Sequence, residues 1–372
     1  MSKPEYFIGL MSGTSVDAID AVIVAFQRDA ISLVASHSVS IPNKLRQELI
    51  ALTVPGKNEI HRAMSADRQL AELYAKAVNQ LLEQSGTAAQ QIVAIGCHGQ
   101  TIRHSPTTKP AYSLQIGDPN TLCELTGIRV VADFRRRDIA AGGEAAPYAP
   151  AFHEYLFRVS NEARLVINLG GIANLTLLSA NQNEPVTGFD TGPSNILMDS
   201  WIMAKQKKRF DKNGHWGASG KVDDALLEQM LSDPYFKRRP PKSTGREYFN
   251  LDWLGAQLKR HKKRMQHKNV QATLCELTAR SITAAIQKHA PDYQLALVCG
   301  GGVHNMALMF RLQSLLDHCQ VRSTEDYGVD PDLLEAMCFA WLARRTLNGE
   351  TGNLPSVTNA QHAAILGGIY QP

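Results

Sequence analysis

A chain of 372 residues is longer than one typical core and predicts two domains of similar size. Hydrophobic residues at 44%, charged residues at 20% and a net charge of only +4, from 39 basic and 35 acidic side chains, are ordinary globular values. They give no support to a nucleic-acid partner, and the basic runs at 205–209, 237–246 and 259–268 read as solvated helix faces.

The first residues, MSKPEYFIGL, lack a signal-peptide core, and no apolar run reaches membrane-spanning length. The six cysteines (Cys97, Cys123, Cys275, Cys299, Cys319, Cys338) show no CxxC spacing, which predicts free thiols. The expectation is a cytoplasmic protein with no membrane partner.

In chain order, Phe7 to Val24 is the first informative stretch. An apolar run (Phe7, Ile8, Leu10) breaks at Ser12-Gly13-Thr14-Ser15 and resumes at Ala18, which predicts a hairpin with a Gly/Ser/Thr turn. Amides of such a turn can close around anionic oxygens, and Asp17 and Asp20 stand where a carboxylate meets a metal-bound water. Taken alone, an ordinary hairpin with a polar tip accounts for it. Ile31 to Ile41 reads as a strand closed by Pro42. His61 to Glu83 is an amphipathic helix, with Leu70, Leu73, Tyr74, Ala77, Val78 and Leu81 on one face and Gly86 as its stop.

Three strands then end in polar side chains. Gln91 to Cys97 leads to His98 and Gln100, Tyr112 to Ile116 leads to Asp118, and Arg129 to Phe134 leads to Arg135 and Asp138. Ligands of α/β sheets collect at carboxyl ends of strands, so three such ends argue for a pocket. Asp118 is also placed to cap a helix over 121–125.

After a Gly/Ala/Pro-rich loop at 140–150, Leu165 to Leu178 repeats the opening pattern around Gly170 and Gly171. Asp190 precedes an apolar helix from Ile196 to Met203, whose positive end favours an ionised carboxylate; a plain N-cap is the alternative role. A loop at 210–220 and a basic-polar turn at 242–247 follow, then a helix over 272–289. Leu295 to Cys299 is a strand ending in Gly300-Gly301-Gly302-Val303-His304-Asn305, where a flat ring can lie on backbone and Asn305 can anchor it. A helix follows over 306–316. Asp330-Pro331-Asp332 is predicted to cap the helix from Leu333 to Thr346, which carries Glu335 near its start.

Two strand–glycine turn–strand openings and a late glycine-rich strand-to-helix turn predict an α/β, two-domain actin/hexokinase-like (ribonuclease H-like) fold with an interdomain cleft. The domains are expected at 1–140 and 141–372, with the terminal helix free to pack back on the first. Within that group the segments GLMSGTSVDAID, CHGQT, QIGDPN, ADFRRRDIAAGGEAAP, INLGGIANLT, GFDTGPSN, KSTGRE, CGGGVHN and DPDLLEAMCFAWLA closely resemble the anhydro-N-acetylmuramic acid kinases, over residues 7–369.

The resemblance implies an ATP- and Mg2+-dependent phosphotransferase of peptidoglycan recycling. Such an enzyme turns a small-molecule 1,6-anhydro amino sugar and water into N-acetylmuramic acid 6-phosphate. It implies Asp190 as general base, and Gly13, Thr14, Ser15, Val16, Asp17, Ala18, Ile19 and Asp20 as the ATP-phosphate segment. Gly170 and Gly171 are that segment's counterpart, and Gly300, Gly301, Gly302 and Asn305 face the nucleotide. It further implies a sugar pocket of His98, Gln100, Asp118, Arg135 and Asp138, with an arginine pairing the lactyl carboxylate. Glu335 would hold a magnesium water or be a plain first-turn carboxylate. Such kinases often form homodimers, and the sequence leaves the oligomeric state open. Ala18, Ser194 and Asn359 stand where the family usually has glycine; backbone approach survives at the first two if φ is negative there. Two rival readings share the fold: an ordinary sugar kinase acting on a free hydroxyl, and a nucleotide-gated actin-like ATPase or binding protein with no need of a polar sugar pocket.

Overall fold

The computed structural model of the protein describes residues 3–13, 16–28 and 30–372. In chain order its strands are β1 (Glu5–Met11), β2 (Ala18–Gln27), β3 (Ala30–Ser40), β4 (Ile92–Cys97), β5 (Gln100–Ser105), β6 (Tyr112–Ile116), β7 (Val130–Ala132), β8 (Arg164–Leu169), β9 (Ile172–Leu178), β10 (Thr187–Pro193), β11 (Leu295–Cys299), β12 (Gln320–Ser323) and β13 (Gly368–Tyr370). They build a six-stranded sheet in the order β13-β7-β4-β1-β2-β3, a five-stranded sheet in the order β10-β9-β8-β11-β12, and the hairpin β5-β6.

Both large sheets follow one plan. Three strands form an antiparallel meander, the first of them pairs in parallel with a fourth, and the fourth pairs in parallel with a fifth. This 3-2-1-4-5 order, twice in one chain, is the duplicated ribonuclease H-like sheet of the actin/hexokinase-like fold. The echo between 7–24 and 165–178 is therefore the first hairpin of each copy.

The chain divides into two compact units, Met1–Phe152 with Leu333–Pro372, and His153–Asp332. The contacts thus draw the line at 152 where the sequence suggested 140, and they return the segment from Leu333 to the first unit. Among the described residues, no helix is long and apolar enough to cross a membrane.

In the first unit β1 is central, which is why Phe7, Ile8 and Leu10 are all buried regardless of face. The helix Glu59–Ser85 buries Leu70, Tyr74, Val78 and Leu81 and ends on Gly86 at φ 66. The helix Leu334–Leu347 packs on β1 and β4. Two glycines permit its approach. Gly9 and Gly96 are register partners on adjacent strands, and a Cβ on either would stand 1.9 Å from the carbonyl oxygen of Ala336 or Phe339.

Two sequence expectations change here. The strand expected over 129–134 stops at Ala132, because Asp133 turns to φ 61 and a helix runs from Phe134 to Ala140. Arg135 and Asp138 therefore ride on a helix instead of a strand end. Asp330-Pro331-Asp332 does not cap the helix after it. Leu333 holds the cap position with no side-chain bond, Asp330 Oδ1 accepts from the Asp332 N–H at 2.9 Å, and Asp332 pairs with His304 at 2.6 Å.

In the second unit Leu165, Ile167, Leu175, Leu277, Ile282 and Val298 join one core under the helix His267–His289. Of the three positions where family members usually carry glycine, Ser194 has φ −113 and Ala18 is outside the left-handed region. Asn359 is in that region, at φ 60, closing the short helix Pro355–Thr358; asparagine is among the few side chains that tolerate it.

Candidate active site

Asp190 lies within β10, and Ser194 holds the N-cap position of the following helix, Asn195–Gln206, so the capping role is excluded for Asp190. Its surroundings come from a segment some fifty residues away in sequence. The Asp190 N–H donates to the Lys242 carbonyl at 3.0 Å, the Tyr235 hydroxyl donates to the Asp190 carbonyl at 2.8 Å, and the Thr244 N–H donates to Asp190 Oδ2 at 2.9 Å. Oδ1 has no hydrogen-bond partner among the described residues.

Burial pushes this carboxyl up to about 6; Glu247 adds to the rise, while the Thr244 amide and Lys242 oppose it. The following helix terminus, expected from the sequence to favour ionisation, does not act on the carboxyl. Its first amides are instead spent on the hairpin turn: Asn195 N–H donates to the Gly170 carbonyl and Ile196 N–H to the Gly171 carbonyl, each at 3.1 Å. A half-buried carboxyl with one oxygen anchored, one open and a pKa near neutrality is suited to taking a proton.

Gly170 and Gly171 join β8 to β9. Neither has a positive φ, and a Cβ on them would meet nothing nearer than 3.6 Å and 3.8 Å. At Gly301 a Cβ would meet nothing within 4 Å. No contact within the protein demands glycine at these three positions, whereas a ligand lying against the backbone would. Gly300 and Gly302 differ. Gly300 has φ 81 and stands against Asn168, and a Cβ on Gly302 would come within 2.5 Å of Leu169 Cβ, so the fold itself requires both. The Asn305 side chain caps the helix Met306–Leu315, its Oδ1 accepting from the Leu308 N–H at 3.1 Å.

In the first unit, Thr14 and Ser15 of the opening turn lie outside the described residues. Beside them Val16 is buried at φ 55, a strained setting for a β-branched residue of the kind found at ligand clamps, and its N–H donates to the Gly13 carbonyl. The Asp17 carboxylate pairs with Arg46 at 2.9 Å, Ile19 is fully buried, and Asp20 Oδ1 accepts from the Ser38 hydroxyl at 2.8 Å.

Among the residues expected to line a sugar pocket, the structure brings His98 and Arg135 together. Arg135 Nε donates to His98 Nε2 at 3.0 Å and Nη1 donates to the Ala145 carbonyl at 2.7 Å, with Tyr148 under the guanidinium. Burial and the neighbouring Arg135 hold the His98 imidazole well below its usual range, so it is neutral and its proton sits on Nδ1. Phe339 stacks on the ring at 4.7 Å. Gln100 is buried and its Oε1 has no hydrogen-bond partner among the described residues.

Asp118 caps the helix Pro119–Thr126 with both oxygens, accepting from the Asn120 and Thr121 amides. Burial pushes this carboxyl up, but the Thr121 and Asn120 hydrogen bonds outweigh burial and hold it below the usual range. Asp138 is closed off: Oδ1 accepts from Asn353 Nδ2 at 2.6 Å and from the Thr358 hydroxyl at 2.9 Å, and Oδ2 accepts from the Ala145 N–H at 2.7 Å.

Glu335 is in the first turn of the helix Leu334–Leu347 and keeps solvent access while protein surrounds it. Those surroundings raise its carboxyl, Arg135 opposes the rise, and Asp20 adds to it. Glu335 thus feels both Asp20 and Arg135. Among the described residues no three His, Cys, Asp or Glu side chains are grouped to hold a metal ion by themselves.

The sequence reading missed the Thr244 amide, Tyr235 and the Ala145 carbonyl as partners. The segment KSTGRE was visible, yet nothing in a linear pattern pairs residue 244 with residue 190.

The family model described as anhydro-N-acetylmuramic acid kinase matches residues 5–372. A Coxiella burnetii protein of that name is 50% identical over 366 residues, which cover 98% of this chain and 97% of that one. A Shewanella denitrificans protein of the same name is 50% identical over 370 residues, covering 100% and 99%. A third, from Saccharophagus degradans, is 48% identical over 373 aligned positions and covers both chains fully. With a duplicated ribonuclease H-like sheet and matches of this extent, the chain belongs to the anhydro-N-acetylmuramic acid kinase family.

Proposed function

We propose that the protein uses ATP and water to convert 1,6-anhydro-N-acetylmuramic acid to N-acetylmuramic acid 6-phosphate in the cytoplasm, as a step of peptidoglycan recycling, with Asp190 as general base. Family membership supports the kinase activity and the sugar. The observation that carries the base is the state of Asp190, which has Oδ2 anchored by the Thr244 amide, Oδ1 open and a pKa raised to about 6.

In this reading Asp190 Oδ1 takes a proton from water as the water oxygen bonds to the anomeric carbon C1. The C1–O6 bond breaks, its electron pair stays on O6, and O6 attacks the γ-phosphorus of ATP while the bond to the ADP oxygen breaks. The open backbone at Gly170, Gly171 and Gly301 fits a nucleotide lying close to the main chain. The segment Gly13 to Asp20 is its counterpart for the phosphates. Glu335, which Asp20 raises and Arg135 opposes, fits together with Asp20 a hydrated Mg2+ held through water. When bound, that ion would neutralise phosphate charge.

Arg135 would pair with the lactyl carboxylate, held in place by His98 and the Ala145 carbonyl. The orphan Oε1 of Gln100 would accept from a sugar hydroxyl. Asp118 would stay ionised at the wall, and Asp138 would support the wall from behind.

Asp190→Asn is expected to lower kcat by roughly 10²–10⁴-fold while binding of a nonhydrolysable ATP analogue persists. Turnover at the parent rate would overturn the assignment. Reaction in 18O-labelled water should place the label at C1; label elsewhere, or activity on the free sugar alone, would favour an ordinary sugar kinase.

A further inference from the structure

A second charged feature lies in the His153–Asp332 unit, on the opposite side of β10 from the Asp190 carboxylate. Side chains alternate along a strand, so Phe189 faces away from Asp190, while Thr191 stands at a bulge in the pairing with β9. They form part of the wall of a cavity of about 390 Å³. Five basic side chains line the same cavity: Arg238, Lys242, Arg280, Lys288 and His289. No aspartate or glutamate lines it. Arg280 is paired outward with Glu276 at 2.7 Å, but among the described residues no ion pair involves the other four.

Several basic groups facing one space repel each other, and the structure carries the mark of it. Burial lowers Lys242, with Arg238 and Lys288 adding to the fall and Asp190 opposing it, and burial, Lys288 and Lys242 lower His289. The wall between them is apolar, with Leu231, Phe236 and Leu315. Cation clusters beside an apolar wall recognise an oxyanion carried on an organic body, and the volume lies in the range of small-molecule sites.

We infer that this cavity binds a phosphomonoester of about sugar-phosphate size, at a site separate from the one that holds the reacting sugar. Arg238 and Lys288 contact the phosphate and Phe236 contacts the organic body. Lys242 links the two sites, since its carbonyl accepts the Asp190 N–H at 3.0 Å and its ammonium helps hold the Asp190 carboxyl down. An anion held by Arg238 and Lys288 beside Lys242 weakens that field and adds to the rise that burial and Glu247 cause at Asp190, so bound ligand slows turnover at mildly acidic pH. This link rests on Asp190 being the base; the binding itself does not.

The test is calorimetric titration of the full-length protein, saturated with a nonhydrolysable ATP analogue and Mg2+ so that nucleotide-phosphate contacts are occupied. The probes are glucose 6-phosphate, inorganic phosphate and uncharged glucose. The expected result is saturable binding of glucose 6-phosphate, weaker binding of inorganic phosphate and none of glucose, with at least a tenfold loss in the double variant Arg238→Gln/Lys288→Gln. Inorganic phosphate binding as tightly as the ester would overturn the organic part of the ligand. Identical titrations of parent and double variant, or no heat from either phosphate, would overturn the site. In the parent, glucose 6-phosphate should also move the acid limb of the kcat profile to higher pH, and in the double variant it should not. Binding without that movement in the parent would overturn the link to Asp190 and leave the site standing.

Discussion

Asp190 shows how a single carboxyl can be tuned by what buries it. Because its pKa rises to about 6, the ionised base is lost below that pH, and kcat/KM should fall about tenfold per unit on the acid side. A pH–rate profile checks this, and a limb near pH 4 would contradict it. Stability runs the opposite way. The folded-state pKa lies above the unfolded one, so the native state holds its proton more tightly and stability declines as pH rises from about 4 through about 6. Asp190→Asn removes that decline. Its unfolding midpoint should exceed the parent's at pH 7 and converge with it at pH 4, as followed by scanning calorimetry.

Asp138 is the contrasting carboxylate, fully buried and satisfied by Asn353, Thr358 and Ala145. Asp138→Ala would strand three polar groups at about 1–3 kcal/mol each. Asp138→Asn keeps an acceptor and should cost less. Urea unfolding of the pair distinguishes a support from a sugar ligand, which would lose affinity for the sugar without losing stability.

At the scale of elements, glycines sort by what stands opposite them. Gly301 has open space above it and no positive φ, so Gly301→Ala should leave the unfolding free energy within about 0.5 kcal/mol of the parent. It should raise KM for ATP at least several-fold, and an unchanged KM would remove Gly301 from the nucleotide site. Gly96 faces the backbone of the helix Leu334–Leu347, so Gly96→Ala should cost about 1–3 kcal/mol or more through overpacking, as read by urea unfolding. The sequence offered both as bare glycines, and only the neighbour in space tells them apart. Elements with strong periodicity, such as the helix found at Glu59–Ser85, were legible to within about two residues at each end. The helix at Phe134–Ala140 was not, because its start depends on Asp133 taking a left-handed φ that no apolar pattern records.

At the scale of the whole molecule, each sheet repeats one strand order, and the first unit is completed by residues from the far end of the chain. Truncation after Asp332 removes the helix that lies on β1 and β4 together with strand β13. The first unit should then lose its cooperative unfolding transition and expose Ile95, Leu10 and their neighbours. Circular dichroism melting with dye binding checks this, and a sharp transition of unchanged amplitude would contradict it.

The local repertoire was set by the sequence itself: apolar periods for the central strands and long helices, two glycine turns between paired strands, and the carboxylates and basic groups available for chemistry. Those are properties of neighbours along the chain. The tertiary structure decided which carboxyl is poised and which is sealed. It placed Thr244 on Asp190 across the edge of β10, turned Asp138 inward onto Asn353 and Thr358, and set Glu335 within the fields of both Asp20 and Arg135. A pKa depends on burial and on charges in space, and a linear sequence specifies neither until the chain has folded.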